Sequence, residues 1–394
     1  MESIQLAAQV TPWLASGRTL FLIIHFLGIT CFGYIVAMRL VPLLRAERDF
    51  RFDRPLDRLG KVLKFGLAQW KHPRYRTAGI LHIFIFAGFI CLVMRAFYVL
   101  IVGVSENFVM PGLSGQAGHI YNIITDYAAT VVFLCMIFAI VRRLAFKPAR
   151  YAVPEKVGKA HTADAVFLLA LIAILMLADS LFAAARAAAP LQQGQAVELL
   201  ATWSLPWMLK GLLSSSSLST LRDFYFGAYL LHEVTFYFLL CYRPFGIQFH
   251  VETSLFNLYF AKLERGTVKP VKYGVSEEQL AQAKSIGVKT FEDFTWKHML
   301  DFYTCADCGR CSDNCPANAV GRPLSPRFIT IKARDYAFQH YPMFGKPTNH
   351  QPLIGNLYSE DEIWSCTTCG ACEEECPLLV EYICLLYTSD AADE

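Results

Sequence analysis

Residues Thr77 to Val102 read TAGILHIFIFAGFICLVMRAFYVLIV, 26 positions with one formal charge, Arg95, and one histidine, His82. As an α-helix this stretch would be about 39 Å long, more than the roughly 30 Å of a bilayer's hydrocarbon core. A buried helix of a large soluble protein would carry polar residues at helical spacing, whereas this segment is apolar all round. Four more segments share that character, near Leu20 to Leu44, Ile120 to Val141, Ala163 to Ala185 and Phe224 to Tyr242. Five spans suit a chain of 394 residues that is 55% hydrophobic with 30 Phe and has a mean hydropathy of +0.36. Met1 to Ser16 lacks the basic start and small-residue cleavage site of a signal peptide, so the first span is expected in the mature protein.

The net charge of +3 conceals two environments. Up to His250 there are 23 Lys and Arg against 13 Asp and Glu; from Val251 onward there are 13 against 20. The basic excess lies in loops between apolar segments, which gives nucleic-acid binding no support. Arg45 to Arg76 carries ten cations and Arg142 to His161 six, against none in Gly103 to His119 and three in Arg186 to Arg222. Cations are retained on the cytoplasmic side, so the N-terminus is expected outside and everything after Tyr242 in the cytoplasm of a bacterial or archaeal cell. The outer stretch around Trp203, Trp207 and Ser214 to Ser217 reads as an interfacial segment plus loop.

Eight of the 13 cysteines fall in two runs, CADCGRCSDNCP from Cys305 and CTTCGACEEECP from Cys366. A reducing compartment makes such clusters metal ligands and not disulfides. Each run spells C-x2-C-x2-C-x3-C-P, in which three thiolates two residues apart wrap one face of a cubane and the fourth points away. A pair of zinc sites would need C-x2-C pairs and no following proline. The pattern resembles that of two-cluster ferredoxins, whose fourth cysteine ligates the other cluster. That resemblance implies Cys305, Cys308, Cys311 and Cys376 on one 4Fe-4S cluster, and Cys366, Cys369, Cys372 and Cys315 on a second. The 50 residues between the runs include Pro326 to Gln339, which alternates basic and apolar residues like an amphipathic helix. A helical ferredoxin domain accommodates this insert better than a compact β-rich one.

Histidines inside spans are functional candidates because burying an ionisable group in lipid is costly. His82 and His232 lie in the second and fifth spans, where two imidazoles can ligate one haem iron from both sides. His72 lies ten residues before His82 and His250 eighteen after His232, offsets of roughly 15 and 27 Å on ideal helices. Pro244 and Gly246 are expected to break the fifth helix and shorten the second offset, and Pro73 suits a helix start just after His72. His25 and His119 are expected to be structural or quinone-site residues before ligands. Arg95 either pairs with a haem propionate or snorkels. Asp126, Asp179 and Glu233 could relay protons to a quinone.

The segments HPRYRTAGILHIFIFAGF and LHEVTFYFLLCYRPFGIQFHVETSLFNLYF resemble the haem-binding spans of the nitrate reductase gamma-subunit family, five-helix dihaem cytochromes b. FYTCADCGRCSDNCPANAVGRPLSPR and WSCTTCGACEEECPL resemble the iron-sulfur domain of heterodisulfide reductase-related proteins. Their fusion resembles membrane iron-sulfur oxidoreductases that link electron-transfer flavoprotein, or a similar cytoplasmic donor, to menaquinone. The resemblance covers about residues 20 to 383 and implies one or two b haems on His82 with His232 and on His72 with His250. Such relatives continue into cysteine-rich CCG modules that hold the catalytic cluster, and this chain stops before them. Its last residues, CLLYTSDAADE from Cys384, read as translated sequencing-adapter sequence, so a truncated chain with a foreign tail is expected.

The expected fold is all-α, a five-helix transmembrane bundle followed by a cytoplasmic helical ferredoxin-type domain. The expected division is an outer segment, 1–19; a membrane domain, 20–260; a linker, 261–295; a dicluster domain, 296–383; and the tail, 384–394. The expected function is a membrane-bound oxidoreductase passing electrons between a menaquinone or ubiquinone pool and a cytoplasmic redox partner, through b haems and two 4Fe-4S clusters. A non-catalytic, electron-conducting anchor of a heterodisulfide reductase-like complex is the alternative, because GxGxxG is absent. A transporter is disfavoured by the lack of internal repeats.

Overall fold

The structure, a computed structural model, describes residues 13–152, 160–192, 199–264, 276–282, 287–348, 351–383 and 385. Most of the outer segment, parts of the expected linker, Cys384 and residues 386–394 lie outside the described residues. Among those described, every regular element is helical. In chain order they are α1 (Arg18–Arg45), α2 (Pro55–Lys61), α3 (Arg76–Val102), α4 (Gly115–Val141), α5 (Ala160–Gln192), α6 (Leu205–Leu213), α7 (Leu218–Tyr242) and α8 (His250–Tyr259). There follow α9 (Glu277–Ala281), α10 (Trp296–Thr304), α11 (Arg310–Asp313), α12 (Pro316–Ala319), α13 (Pro326–His340), α14 (Glu360–Trp364) and α15 (Ala371–Glu375).

The five expected spans are five helical stretches, Ala15–Arg45, Arg76–Val102, Gly115–Phe146, Thr162–Ala189 and Leu218–Phe245, each long and apolar enough to cross a membrane. They run a few residues beyond the apolar cores because helix ends continue as 3-10 or π-helical turns, such as Arg142–Phe146. Their open faces carry Phe26, Ile29, Phe84, Leu134 and Leu231, side chains that water would not tolerate in such number and lipid does. The chain is thus an all-α protein with a transmembrane bundle.

Contacts divide the chain into two compact units, the first made of Met1–Gly33, Tyr75–Lys147 and Glu155–Tyr242. Here α3 packs on α4, α4 on α5, α5 on α7, and the short α6 on α4 and α5. The alanines Ala184, Ala185, Ala187, Ala188 and Ala189 are fully buried, as expected where small side chains let membrane helices approach. Arg95 neither snorkels nor stands apart: its Nε lies 2.9 Å from both carboxylate oxygens of Asp179. Asp126 accepts from the Ala201 amide at 3.1 Å, and Ser204 caps α6 by accepting from the Trp207 amide. These bonds anchor the segment around Trp203 and Trp207.

The second unit comprises Tyr34–Arg74, Pro148–Pro154 and Arg243–Glu394. Its core is aromatic, with Phe291, Phe294, Phe302, Tyr303 and Tyr358 buried together. Pro326–His340 forms the helix that its alternation predicted. The Glu47 amide donates to the Phe294 carbonyl and the Trp296 amide to the Glu47 carbonyl, both at 3.0 Å. A buried ion network lies at the centre. Lys297 bonds Asp301 at 2.7 Å, Arg51 bonds Glu381 at 2.8 Å, and Asn257 donates to Asp301 at 3.0 Å. Burial raises the Glu381 carboxyl, but Lys297 and Arg51 outweigh it and hold the group well below the usual carboxylate range. Burial dominates at Asp301, which is pushed up to about 6 against the pull of Lys297.

Candidate iron-sulfur site

Both cysteine runs fold by one backbone recipe. Cys305 ends α10 in an extended conformation, and Asp307 and Gly309 then take positive φ, 54° and 78°. The chain re-enters a helix at Arg310, which places Cys311 on its first turn; Cys315 is extended again and Pro316 opens α12. In the second run Thr368 and Gly370 have φ of 52° and 77°, α15 carries Cys372, and Cys376 is extended. Glycine at the fourth place after the leading cysteine follows from this left-handed turn. α11 and α15 pack on each other, bringing the two copies together.

The result is two hollows, each ringed by four cysteines. Cys305, Cys308, Cys311 and Cys376 surround one of about 280 Å³, with Arg327, Leu378, Val380 and Tyr382. Cys366, Cys369, Cys372 and Cys315 surround the other, about 320 Å³, with Pro316, Leu324, Pro326 and Ile383. The fourth cysteine of each run therefore lies with the first three of the other. Among the described residues no three His, Cys, Asp or Glu side chains converge as ligands of a single ion would.

Burial pushes the Cys305 thiol up. It raises Cys311 well above the usual thiol value, reinforced by Cys305, Cys308 and Cys376. Cys376 is pushed up to about 12 by burial, then by Cys308 and Cys305; at Cys372 burial, Glu373, Cys366 and Cys315 act together. Thiols so crowded become thiolates only beside compensating positive charge, which iron supplies. The donor set therefore fits two iron-sulfur clusters. Protein groups reach the sulfurs as well. The Thr368 amide donates to Cys366 Sγ at 3.4 Å and the Val380 amide to Cys376 Sγ at 3.5 Å, and Tyr382 lines the hollow that holds Cys311.

The two hollows differ in exposure. Cys369 is exposed, whereas Cys305, Cys311 and Cys376 are buried beside the segment around Lys71 and His72. Lys71 Nζ donates to the Cys376 carbonyl at 3.2 Å, and Arg310 donates to the Lys71 carbonyl at 2.8 Å and the His72 carbonyl at 3.4 Å. Arg327, in an ion pair with Asp307, donates to the Arg150 and Ala152 carbonyls at 2.9 Å. These straps join residues far apart in sequence to backbone carbonyls, which have no sequence signature, and the sequence reading missed them.

Of the histidines, His72 and His250 fall in the second unit. Burial, then Arg310 and His250, hold His72 down to about 4, and burial lowers His250. Both are therefore neutral imidazoles at physiological pH. His250 Nδ1 donates to the Ile247 carbonyl at 2.7 Å, which leaves Nε2 with its lone pair. As expected, the chain breaks between α7 and α8, through two 3-10 turns, Arg243–Phe245 and Ile247–Phe249.

His82 and His232 fall in the first unit, on α3 and α7, which do not form a close-packed pair. Packed helices lie about 8–10 Å apart, too close for a porphyrin held between two imidazoles. His232 is buried, with Nδ1 3.0 Å from Glu233 Oε1, the carboxylate support that ligating histidines commonly have on their other nitrogen. His25 has Nε2 2.8 Å from the Leu100 carbonyl and Nδ1 3.6 Å from Glu233 Oε2. Only its Nε2 is hydrogen-bonded; Nδ1 is buried without a hydrogen-bond partner.

Residues 304–380 match the family model of the 4Fe-4S dicluster domain. The chain is 26% identical over 421 aligned residues to "Probable iron-sulfur-binding oxidoreductase FadF" of Bacillus subtilis, covering 95% of this chain and 55% of that one. It is 27% identical to "EtfAB:quinone oxidoreductase" of Syntrophomonas wolfei, covering 86% of this chain and 49% of that one. A third relative, "Probable membrane-anchored ferredoxin" of Chromohalobacter salexigens, is 36% identical over 25% of this chain and 17% of its own length. The chain spans about half the length of the first two. No solved structure matches it at a significant level. The two rings of cysteines thus lie in a stretch similar to 4Fe-4S dicluster domains, within a chain whose relatives are iron-sulfur-binding oxidoreductases.

Proposed function

We propose that the chain is the membrane part of an oxidoreductase that passes electrons between the quinone pool and a cytoplasmic redox partner such as electron-transfer flavoprotein. The observation that carries this reading is the pair of hollows, each ringed by three cysteines of one run and the fourth of the other, in a chain that also has five membrane helices. The ligand sets are Cys305, Cys308, Cys311 and Cys376 for one 4Fe-4S cluster, and Cys366, Cys369, Cys372 and Cys315 for the second. Two b haems, held by His82 with His232 and by His72 with His250 as in the nitrate reductase gamma-subunit family, complete the set. Clusters and haems supply one-electron chemistry.

The protein's own residues order and insulate these sites. Lys71 and Arg310 tie the Cys376 and His72 backbones together, so the His72 backbone adjoins the more buried cysteine ring. The ring with exposed Cys369 is the port to the soluble partner. The excess of cations in 45–76 and 142–161 supports an inward-facing iron-sulfur unit and an outer N-terminus. We adopt 20–260 as the membrane domain, 296–383 as the dicluster domain, and the intervening residues as linker.

The test is quinol-driven reduction of the anaerobically purified chain, followed by paramagnetic resonance for the clusters and absorbance for the haems. Both should reduce, and His82→Ala and His232→Ala should remove the same low-spin haem signal. Intact haem in both variants overturns the pairing. A second reading, a non-catalytic electron-conducting anchor of a larger heterodisulfide reductase-like complex, is favoured by the similarity to a membrane-anchored ferredoxin. Clusters that accept electrons from a soluble donor but not from quinol would select it.

A further inference from the structure

Between the end of the first span at Arg45 and the start of the next at Arg76, α2 continues as a π-helical stretch, Val62–Leu67. Its three faces differ. One is buried in the second unit: Arg58 donates to the Tyr259 carbonyl at 3.2 Å and the Ala261 carbonyl at 3.1 Å, and Val62–Leu67 packs on α8. A second is polar, with Asp57, Lys61 and Lys64. The third is apolar and open, with Leu56 81%, Leu59 46%, Leu63 49% and Leu67 49% exposed, and it continues to Trp70 at 64%. At about 100° per residue these leucines fall within an arc of about 80°. α8 extends the open surface with Leu255 and Phe256, 45% and 62% exposed.

We propose that this stripe is seated in the boundary between lipid headgroups and acyl chains, as a non-spanning helix that docks the iron-sulfur unit on the bilayer. The proposal rests on reading the five long helices as spans. Chain continuity identifies the occupant, because the segment ends nine residues before the span that starts at Arg76 and begins ten after the helix that carries the first span, so the chain holds it close to the membrane. Charge agrees. Residues 45–76 hold ten Lys and Arg against four Asp and Glu, which suits anionic headgroups. An open leucine face bordered by cations and ended by a tryptophan is the pattern of an interfacial helix. Lys64 Nζ sits 5.5 Å from the Trp70 ring centroid, placing cation and aromatic ring together where headgroups meet acyl chains.

The test uses the full chain in nanodiscs of phosphatidylcholine and phosphatidylglycerol, with bromine near the top or near the end of the acyl chains. The difference in emission between wild type and Trp70→Phe isolates Trp70. Shallow bromines should quench it roughly twofold more than deep ones, and aqueous acrylamide should barely reach it. Leu63→Trp in the Trp70→Phe background repeats the measurement on the helix itself. A probe open to acrylamide and untouched by bromine would place the stripe in water and overturn the proposal. A probe shielded from both would place it against protein, a second copy or further chain, and overturn it equally. A chain that does not enter the disc removes the spanning reading, and this proposal with it.

Discussion

In the first cysteine run the residues two and four places after the leading cysteine, Asp307 and Gly309, have positive φ, and in the second Thr368 and Gly370 repeat this almost to the degree. The surroundings do not repeat. Gly309 lies beneath the Arg150 carbonyl, 2.5 Å from where a Cβ would be, while the nearest atom to a Cβ on Gly370 is a flexible Ile383 methyl at 3.4 Å. One ring of cysteines is roofed by the backbone at Arg150 and the other opens at Cys369. The motif determines how a run bends around its ligand, and the rest of the chain determines what water and protein surround that ligand. Two sites with one local geometry can then hold different potentials and serve different neighbours.

The largest expected effect breaks the symmetry outright. Cys315→Ser should abolish the paramagnetic signal of the site formed with Cys366, Cys369 and Cys372 and largely spare the other; Cys376→Ser should do the reverse. Loss confined to the mutated cysteine's own run would show local ligation. Next come the glycines. Gly370→Ala should cost about 1–2 kcal/mol, the penalty of a side chain in the left-handed region. Gly309→Ala adds a backbone collision and should cost roughly 2–5 kcal/mol; denaturant unfolding of the anaerobic protein would expose equal losses, which this structure does not allow.

A smaller effect follows from His298, a fully buried residue whose Nδ1 accepts from the Thr295 amide at 3.3 Å. Burial holds it down to about 4 from an ordinary 6.5. The folded state thus binds fewer protons, so its contribution is complete above pH 6.5 and lost as pH falls toward 4, on the order of 3 kcal/mol. His298→Gln keeps an acceptor without a titration and should flatten unfolding free energy against pH over that window. The smallest effect is Tyr382→Phe. Removing a hydroxyl dipole from the lining of the hollow that holds Cys311 should lower the reduction potential of the buried site and leave the exposed one unmoved, as redox titration of the two signals would register.

How much could be seen beforehand depended on the range of the determining interactions. Thr77 to Val102 announced a span because hydropathy is a property of consecutive residues, and the helix at Pro326 showed in its local alternation. The cysteine spacing pointed to metal before any folding was known. What escaped was non-local. Nothing in the sequence says that Arg327 bonds the Arg150 and Ala152 carbonyls, or that Arg95 and Asp179, 84 residues apart, meet. A guanidinium can satisfy itself on any carbonyl or carboxylate that tertiary packing brings near, so its partner is decided only when the chain has collapsed.

The placement of Cys315 among the cysteines of the second run also bears on the timing of synthesis. A nascent chain that has emerged only through Pro316 offers three cysteines to one cluster and has its fourth pointing at a partner not yet made. Neither ring can close until Cys376 has left the ribosome, 60 residues later than Pro316. Closure of either ring is thereby a late event, coupled to completion of both runs. A chain interrupted between them would hold three cysteines of one ring and a single cysteine of the other, with neither ring complete.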